Sequence, residues 1–296
     1  MRYIVGYTAD ARGAEAVRLA VALGGGLTGG GEATHLDLAM ILPEHTPFSA
    51  IYPGGDHGYR NILAEQVDAW AAEALHLVPS GVSARAVVRS AASEAEGLDD
   101  LARESGAGLI VIGGRPGMLA ARRGPGSVAT ALLHSASTPV AMAPLGDGGA
   151  IPHGLERVTA FVGTRPGALA VVETAAVAAR RRGAGLRIVS LLGQDGGDDS
   201  QLSARRAELE AHVADVVGEA GIHAETVVAE GRNIEEAVQA LPWQRDEVAV
   251  VGSSRLAHRR RLFLGTTAQR MLRTLTVPLV VVPRDHQPPA PTGAEE

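Results

Sequence analysis

The segment LIVIGGRPGMLAARRGPGSVATALLHSASTPVAMAP, Leu109–Pro144, aligns without a gap on VAVVGSSRLAHRRRLFLGTTAQRMLRTLTVPLVVVP, Val248–Pro283, at a constant shift of 139 residues. Within it Gly113, Arg122, Gly126, Pro139 and Pro144 return as Gly252, Arg261, Gly265, Pro278 and Pro283. A repeat as long as a domain means that a whole folding unit was duplicated, not that short repeats stack as a solenoid. Whatever architecture the first half adopts, the second half adopts it again.

The earlier parts of each half agree in pattern more than in letters. Arg2–Thr8 and Arg157–Gly163 are short apolar runs suited to a buried strand. Each is followed by a helical face, Val17, Ala20, Val21 and Gly24 in one copy and Leu169, Val172, Ala176 and Ala179 in the other. Second strands are predicted at Thr34–Leu42 and Leu186–Leu192. Amphipathic helices follow, carrying Leu63, Val67, Trp70, Ala74 and Leu77, or Leu202, Leu209, Val213 and Val216. Third strands are predicted at Val82–Val88 and Ile222–Val228, and short helices with Leu98 and Leu101, or Ile234, Val238 and Leu241, lead into the aligned window.

Each half thus reads as five strands alternating with four helices, which calls for a parallel sheet covered by helices on both faces through right-handed crossovers. The expected fold class is α/β: two tandem Rossmann-like domains of the adenine nucleotide α-hydrolase-like kind, each with a five-stranded sheet, packed as an internal pseudo-dimer. Residues 1–145 form the first domain, 146–156 a Gly-rich linker, 157–284 the second domain, and 285–296 a proline-rich polar tail expected to be disordered. The first half also carries an insertion, Pro43–Arg60, at the sheet end where ligand crevices form. Two readings of it stand, a lid and a plain surface loop.

Composition removes several function classes. All 27 basic residues are arginine, so every mechanism that needs a lysine amine is excluded, the P-loop lysine and Schiff-base chemistry included. Cysteine is absent, which excludes disulfides and thiolate chemistry. A net charge of -6 gives no global attraction to nucleic acid or anionic membrane. Aromatics make up only 3% of the chain, which argues against a large apolar ligand. No apolar run reaches the ~18 residues of a membrane span and no signal peptide is visible, so the expected address is cytoplasmic.

The glycine-rich segments carry the chemistry. Gly113, Gly114, Arg115 and Pro116 precede nine residues and then Gly126 and Ser127, while Gly252, Ser253, Ser254 and Arg255 precede nine residues and then Gly265 and Thr266. Glycine lets backbone approach a ligand closely, and a helix start supplies free N–H groups, a positive dipole end and here a hydroxyl. Together these suit a phosphate. The pattern resembles the G-2x-G-9x-G-(S/T) segment of ATP-binding universal stress proteins, and the TPVAMAP and VPLVVVP endings resemble that family's last strand. The resemblance spans nearly the whole chain, once per half.

Both copies depart from the pattern, because Pro116 and Arg255 stand where the family has its second glycine. The acidic residue of many members at the end of strand one is replaced by Thr8, and by Val162 or Gly163. The resemblance implies ATP or another adenine nucleotide, with or without Mg, against Gly113, Gly114, Arg115, Gly126 and Ser127, and against Gly252, Ser253, Gly265 and Thr266. The base then lies near Thr8, Met40 and Ile41. A stress-related function without efficient turnover follows, and so does pairing of the fifth strands Thr138–Pro144 and Val277–Pro283.

Alternatives stand beside this. The glycines also serve tight turns and helix capping by Ser127 or Thr266, which leaves a degenerate interaction or regulatory module with no cofactor. A weak ATPase or phosphotransferase is a third class. A homodimer or a regulatory protein is the expected partner besides the nucleotide. Arg122, Arg123, Arg259, Arg260 and Arg261 either screen phosphate or form a solvated face. Gly24–Gly29 matches G-x-G-x-x-G but follows a helix, so it reads as a connector. His45 and His57 match no compact metal spacing, and no G-x-S-x-G elbow is present, so no metal ligands and no catalytic residues are assigned.

Overall fold

Runs of Val, Ile, Leu and Ala without alternation are what a strand needs when helices cover both its faces. The computed structural model, which describes residues 1–25, 33–44, 56–114, 125–144, 151–164, 167–193, 199–254, 262–284 and 286–287, builds strands from these runs. The first half contains β1 (Arg2–Gly6), α1 (Ala11–Leu23), β2 (His35–Pro43), α2 (Asp56–His76), β3 (Ser83–Ala91), α3 (Glu94–Ser105), β4 (Leu109–Ile112), α4 (Ser127–Ser135) and β5 (Val140–Met142). The second half repeats the alternation with β6 (Arg157–Phe161), α5 (Ala168–Arg182), β7 (Gly185–Gly193), α6 (Asp199–Glu219), β8 (Glu225–Gly231), α7 (Ile234–Gln239), β9 (Glu247–Gly252), α8 (Thr266–Thr274) and β10 (Leu279–Val282).

All strands join one ten-stranded sheet in the order β3-β2-β1-β4-β5-β10-β9-β6-β7-β8. Pairing is parallel throughout each half and antiparallel only where the halves meet, with Leu279, Val280 and Val281 of β10 opposite Met142, Ala141 and Val140 of β5. The tandem α/β class and the pairing of the fifth strands hold, and that pairing fuses the two five-stranded sheets into one. These central residues are fully or nearly fully buried.

Two apolar layers sandwich the sheet, and each runs across both halves. One gathers Ile4, Leu98, Leu132 and Val140 with Val251, Met271 and Val281; the other gathers Val5, Leu19 and Leu38 with Val172, Ile188 and Val213. The strand limits shift by a few residues from expectation. β1 ends at Gly6, which leaves Thr8 in the turn to α1, and β3 and β8 start at Ser83 and Glu225. α7 stops at Gln239, so Leu241 packs from beyond the helix.

That early end of β1 has a local cause. Asp10 is the N-cap of α1: its carboxylate accepts from the Arg12 and Gly13 amides at 3.0 and 3.2 Å and from the Thr8 hydroxyl at 2.7 Å. Burial works to raise the Asp10 pKa, yet bonds from Arg12, Thr8 and the Gly13 amide outweigh it and lower the pKa to about 2. Asp10→Ala is therefore expected to cost about 1 kcal/mol in chemical denaturation near neutral pH. The folded pKa lies below the ordinary value of 3.8, so this contribution is present above about pH 4 and is lost as pH falls toward about 2. A wild-type minus variant difference that stays constant from pH 6 to pH 2 contradicts it.

Part of the expected linker lies outside the described residues. Its end is tied down, with His153 N–H donating to the Asp246 carboxylate at 2.7 Å and Glu156 N–H to the Asp246 carbonyl at 2.8 Å. Within the expected tail, His286 N–H donates to the Pro283 carbonyl at 3.0 Å. Of the insertion, residues 45–55, including His45, lie outside the description, and Asp56–Arg60 open α2.

Candidate functional site

Strand order sets where a crevice forms. The chain leaves β1 toward β2 on one side and leaves β4 toward β5 on the other, and β6 and β9 repeat this, so the loops at their carboxyl ends diverge. Thr8, Gly113 and Gly114 follow β1 and β4, and Gly252 and Ser253 sit at the end of β9.

In the second half this crevice is a cavity of about 900 Å3, and Gly252, Ser253, Gly265 and Thr266 all line it. Its volume lies within the ~300–1,000 Å3 range of small-molecule sites. α8 starts at its wall. Gly265 is the N-cap, contributes no side-chain bond, and its carbonyl accepts the first helical bond from Gln269 N–H at 2.9 Å. The amides of the first turn have no partner within the helix, and Thr266, Thr267 and Ala268 line the cavity. The Ser253 and Ser254 amides are engaged elsewhere, donating to the Val282 and Phe263 carbonyls at 2.8 Å each. Anion binding in this half thus falls to the start of α8.

Three charged residues that carry no motif signature complete the lining: Arg205 and Glu208 on α6, and Arg284 after β10. Two cations against one carboxylate favour an anionic ligand, and arginine's fork suits phosphate oxygens. Leu191 and Leu192 of β7 line the apolar side. The N-cap Asn233 puts Ile234 at the first position of α7, also on the cavity wall.

In the first half the opening glycines of the segment are packed against backbone. A Cβ on Gly113 would lie 2.0 Å from the Arg12 carbonyl oxygen, and one on Gly114 would lie 2.3 Å from the Pro144 carbonyl oxygen, so both glycines are required by backbone packing. The Gly114 amide faces the Glu15 carboxylate and favours its charged form. Glu15 titrates above the ordinary range mainly because it is desolvated, the Gly114 amide pulling the other way. Glu94, first residue of α3 after its N-cap Ser93, is likewise raised by burial, and Asp10 lies near enough to raise both. Three carboxylates and Arg12 therefore gather where the second half shows Ile234 and a cavity. α4 starts as α8 does, with Gly126 as a cap that gives no side-chain bond. In both halves the cap is glycine, and Ser127 and Thr266 stand one position inside the helix.

Of the base-side residues expected in the first half, Thr8 is partly buried in the turn before α1, and Met40 and Ile41 lie on opposite faces of the sheet. Met40 is buried in the apolar layer under α1 and α2, and Ile41 packs on the opposite layer, in contact range of Gly97. Arg115, Pro116 and Arg255, with Arg122, Arg123, Arg259, Arg260 and Arg261, lie outside the described residues. Among the described residues no cluster of three or more His, Cys, Asp or Glu is arranged to hold a metal, and no helix is long and apolar enough to cross a membrane.

Residues 155–283 match the model of the Universal stress protein family. A universal stress protein of Mycobacterium tuberculosis is 28% identical over 298 residues, a match covering 96% of this chain and 100% of that protein. The crystal structure of a universal stress protein from Archaeoglobus fulgidus superposes with a TM-score of 0.67 at 16% identity, covering 96% of this chain and 98% of that one. A functionally unknown protein from Pseudomonas aeruginosa gives 0.58 at 18% identity, covering 95% and 92%. At these identities the two structures speak to the fold. Residues 155–283 thus match a universal stress protein domain, and the whole chain is similar in sequence and fold to universal stress proteins.

Proposed function

We propose that the second half binds an adenine nucleotide, ATP or a close relative, by its phosphates, and retains it without efficient turnover, as a stress-response factor whose partner contacts depend on the ligand. The observation that carries this reading is the uncapped start of α8 opening into a cavity that also receives Arg205 and Arg284. In this assignment the phosphates face the Thr266 and Thr267 amides, and the base lies toward Leu191 and Leu192. Among the described lining residues Glu208 is the one carboxylate.

The test is thermal unfolding of the full chain against increasing ATP. A single site stabilises by RT ln(1 + [L]/Kd), about 2.7 kcal/mol at one hundred times Kd. The expected result is a melting temperature that climbs with the logarithm of ATP concentration, together with release of nucleotide when freshly purified protein is denatured. No shift and no released nucleotide would remove the proposal.

A further inference from the structure

The wall of the second-half cavity is held from outside that half. Residues Leu262, Phe263 and Leu264 precede the cap of α8, and Phe263 and Leu264 line the cavity. Leu262 N–H donates to the Ala136 carbonyl at 2.8 Å, and Leu264 N–H donates to the Leu133 carbonyl at 2.9 Å. Both acceptors belong to the C-terminal end of α4, in the first half, where helix carbonyls lack partners within the helix. The intervening residue faces the other way. Phe263 N–H donates to the Ser253 hydroxyl at 2.8 Å, and its carbonyl accepts from Ser254 N–H at 2.8 Å.

Side chains follow the same division. Leu262 and Leu264 are 1% and 3% exposed and lie in the same apolar cluster as Leu133 and Ala136. The Phe263 ring meets His134 of α4 edge to face, centroids 5.0 Å apart and planes at 90°. His134 is itself fixed: its Nδ1 lies 2.7 Å from the Thr130 carbonyl, and a carbonyl only accepts, so Nδ1 carries the proton. The strip is thus clamped between the end of α4 and the Gly252–Ser254 turn.

We infer that the first half serves the second-half site as a positioning element: α4, through the Leu133 and Ala136 carbonyls and the His134 ring, holds the Leu262–Leu264 strip in the shape that admits an anionic ligand at α8. This rests on the proposed binding reading. It also gives the first half a task of its own in ligand binding, and makes the second half alone an incomplete binding unit. The helix that does this, 9 residues long, is capped by Gly126, the last glycine of the first-half segment, and its other end holds the strip before Gly265. His134 acts here as a positioning residue and needs no contact with the ligand.

Two measurements on the full chain decide it: amide hydrogen exchange at Leu262 and Leu264, and ATP affinity, in wild type, His134→Ala and His134→Phe. An edge-to-face pair is worth up to about 1.5 kcal/mol, or roughly tenfold in affinity. In wild type both amides are protected. In His134→Ala their exchange accelerates and ATP binding weakens about tenfold, while His134→Phe, which keeps a ring against Phe263, restores both. Wild-type exchange as fast as an open loop overturns the inference, and so does an unchanged ATP affinity in His134→Ala once protection is lost. A wild type that never binds ATP sinks the proposed function. In that event accelerated exchange in His134→Ala with recovery in His134→Phe still supports the clamp, and unchanged exchange refutes it.

Discussion

Glu247→Ala is expected to lower folding stability by about 3–5 kcal/mol, the loss that follows when one member of a buried ion pair leaves the other unpaired. Glu247 is fully buried at the start of β9 and Arg187 is buried on β7. Glu247 Oε1 accepts from Arg187 Nη2 at 2.7 Å and from the Thr159 hydroxyl; Oε2 accepts from Arg157 Nη2 at 2.7 Å and the Gln244 amide at 2.9 Å. Arg187 also donates to Thr159 Oγ1 at 3.0 Å and lies 5.5 Å from the centre of the Trp243 ring. Desolvation lowers the Arg187 pKa despite the nearby carboxylate, so an unpaired guanidinium here has nowhere favourable to go.

Urea unfolding measures the effect. The double variant Arg187→Met with Glu247→Leu, which removes both charges, is expected to recover roughly half of the loss or more, giving a large coupling energy in the double-mutant cycle. A single-variant cost under about 1 kcal/mol would show that the cluster is solvated. The first half solves the same problem with opposite signs. Asp37, the third residue of β2 as Arg187 is the third of β7, is fully buried and receives Arg85 at 2.7 and 3.0 Å, with Arg2 at 3.6 Å. Duplication kept a buried charge at this depth of the sheet and reversed it.

Much of this architecture was legible because it depends on local signals. Apolar runs without alternation specify strands covered on both faces, and a constant shift of 139 residues forces the two halves into one topology. The glycines at 252 and 265 converge because they flank one strand and one helix start. Glu15 was not legible. Periodicity assigns it to the polar side of α1, and only the fold brings it to the amide of Gly114, far along the chain. Arg205 reads as one more arginine on an exposed helix, and Arg284 follows the last strand at a position where the first copy has Leu145. A signal for the buried pair did exist. Arginine inside LRIVSLL and glutamate heading EVAVV are single charges in runs otherwise suited to burial, and such charges require partners.

Gly265→Val should abolish nucleotide binding, and Gly126→Val should not, because the two glycines are needed for different reasons. Gly265 has φ -72° and ψ 167°, a conformation open to any residue, so valine brings no backbone strain. Its Cβ would stand 3.2 Å from Ser254 Cβ, with the two further methyls beside the Thr266 and Thr267 amides that are assigned to the phosphates. Hydrogen bonds to a charged group are worth about 1.5–3 kcal/mol each, so blocking the helix start should weaken ATP at least about a hundredfold, with a melting temperature close to wild type. Gly126 has φ 91° and ψ 170°, a region nearly closed to side chains. Valine there should cost about 1–3 kcal/mol of stability and leave ATP affinity within about twofold, since the proposed phosphate site lies at the start of α8 in the other half. Calorimetric titration of both variants separates the roles. The opposite pattern, binding lost in Gly126→Val and kept in Gly265→Val, would move the ligand to the first half and refute the assignment of the α8 cavity.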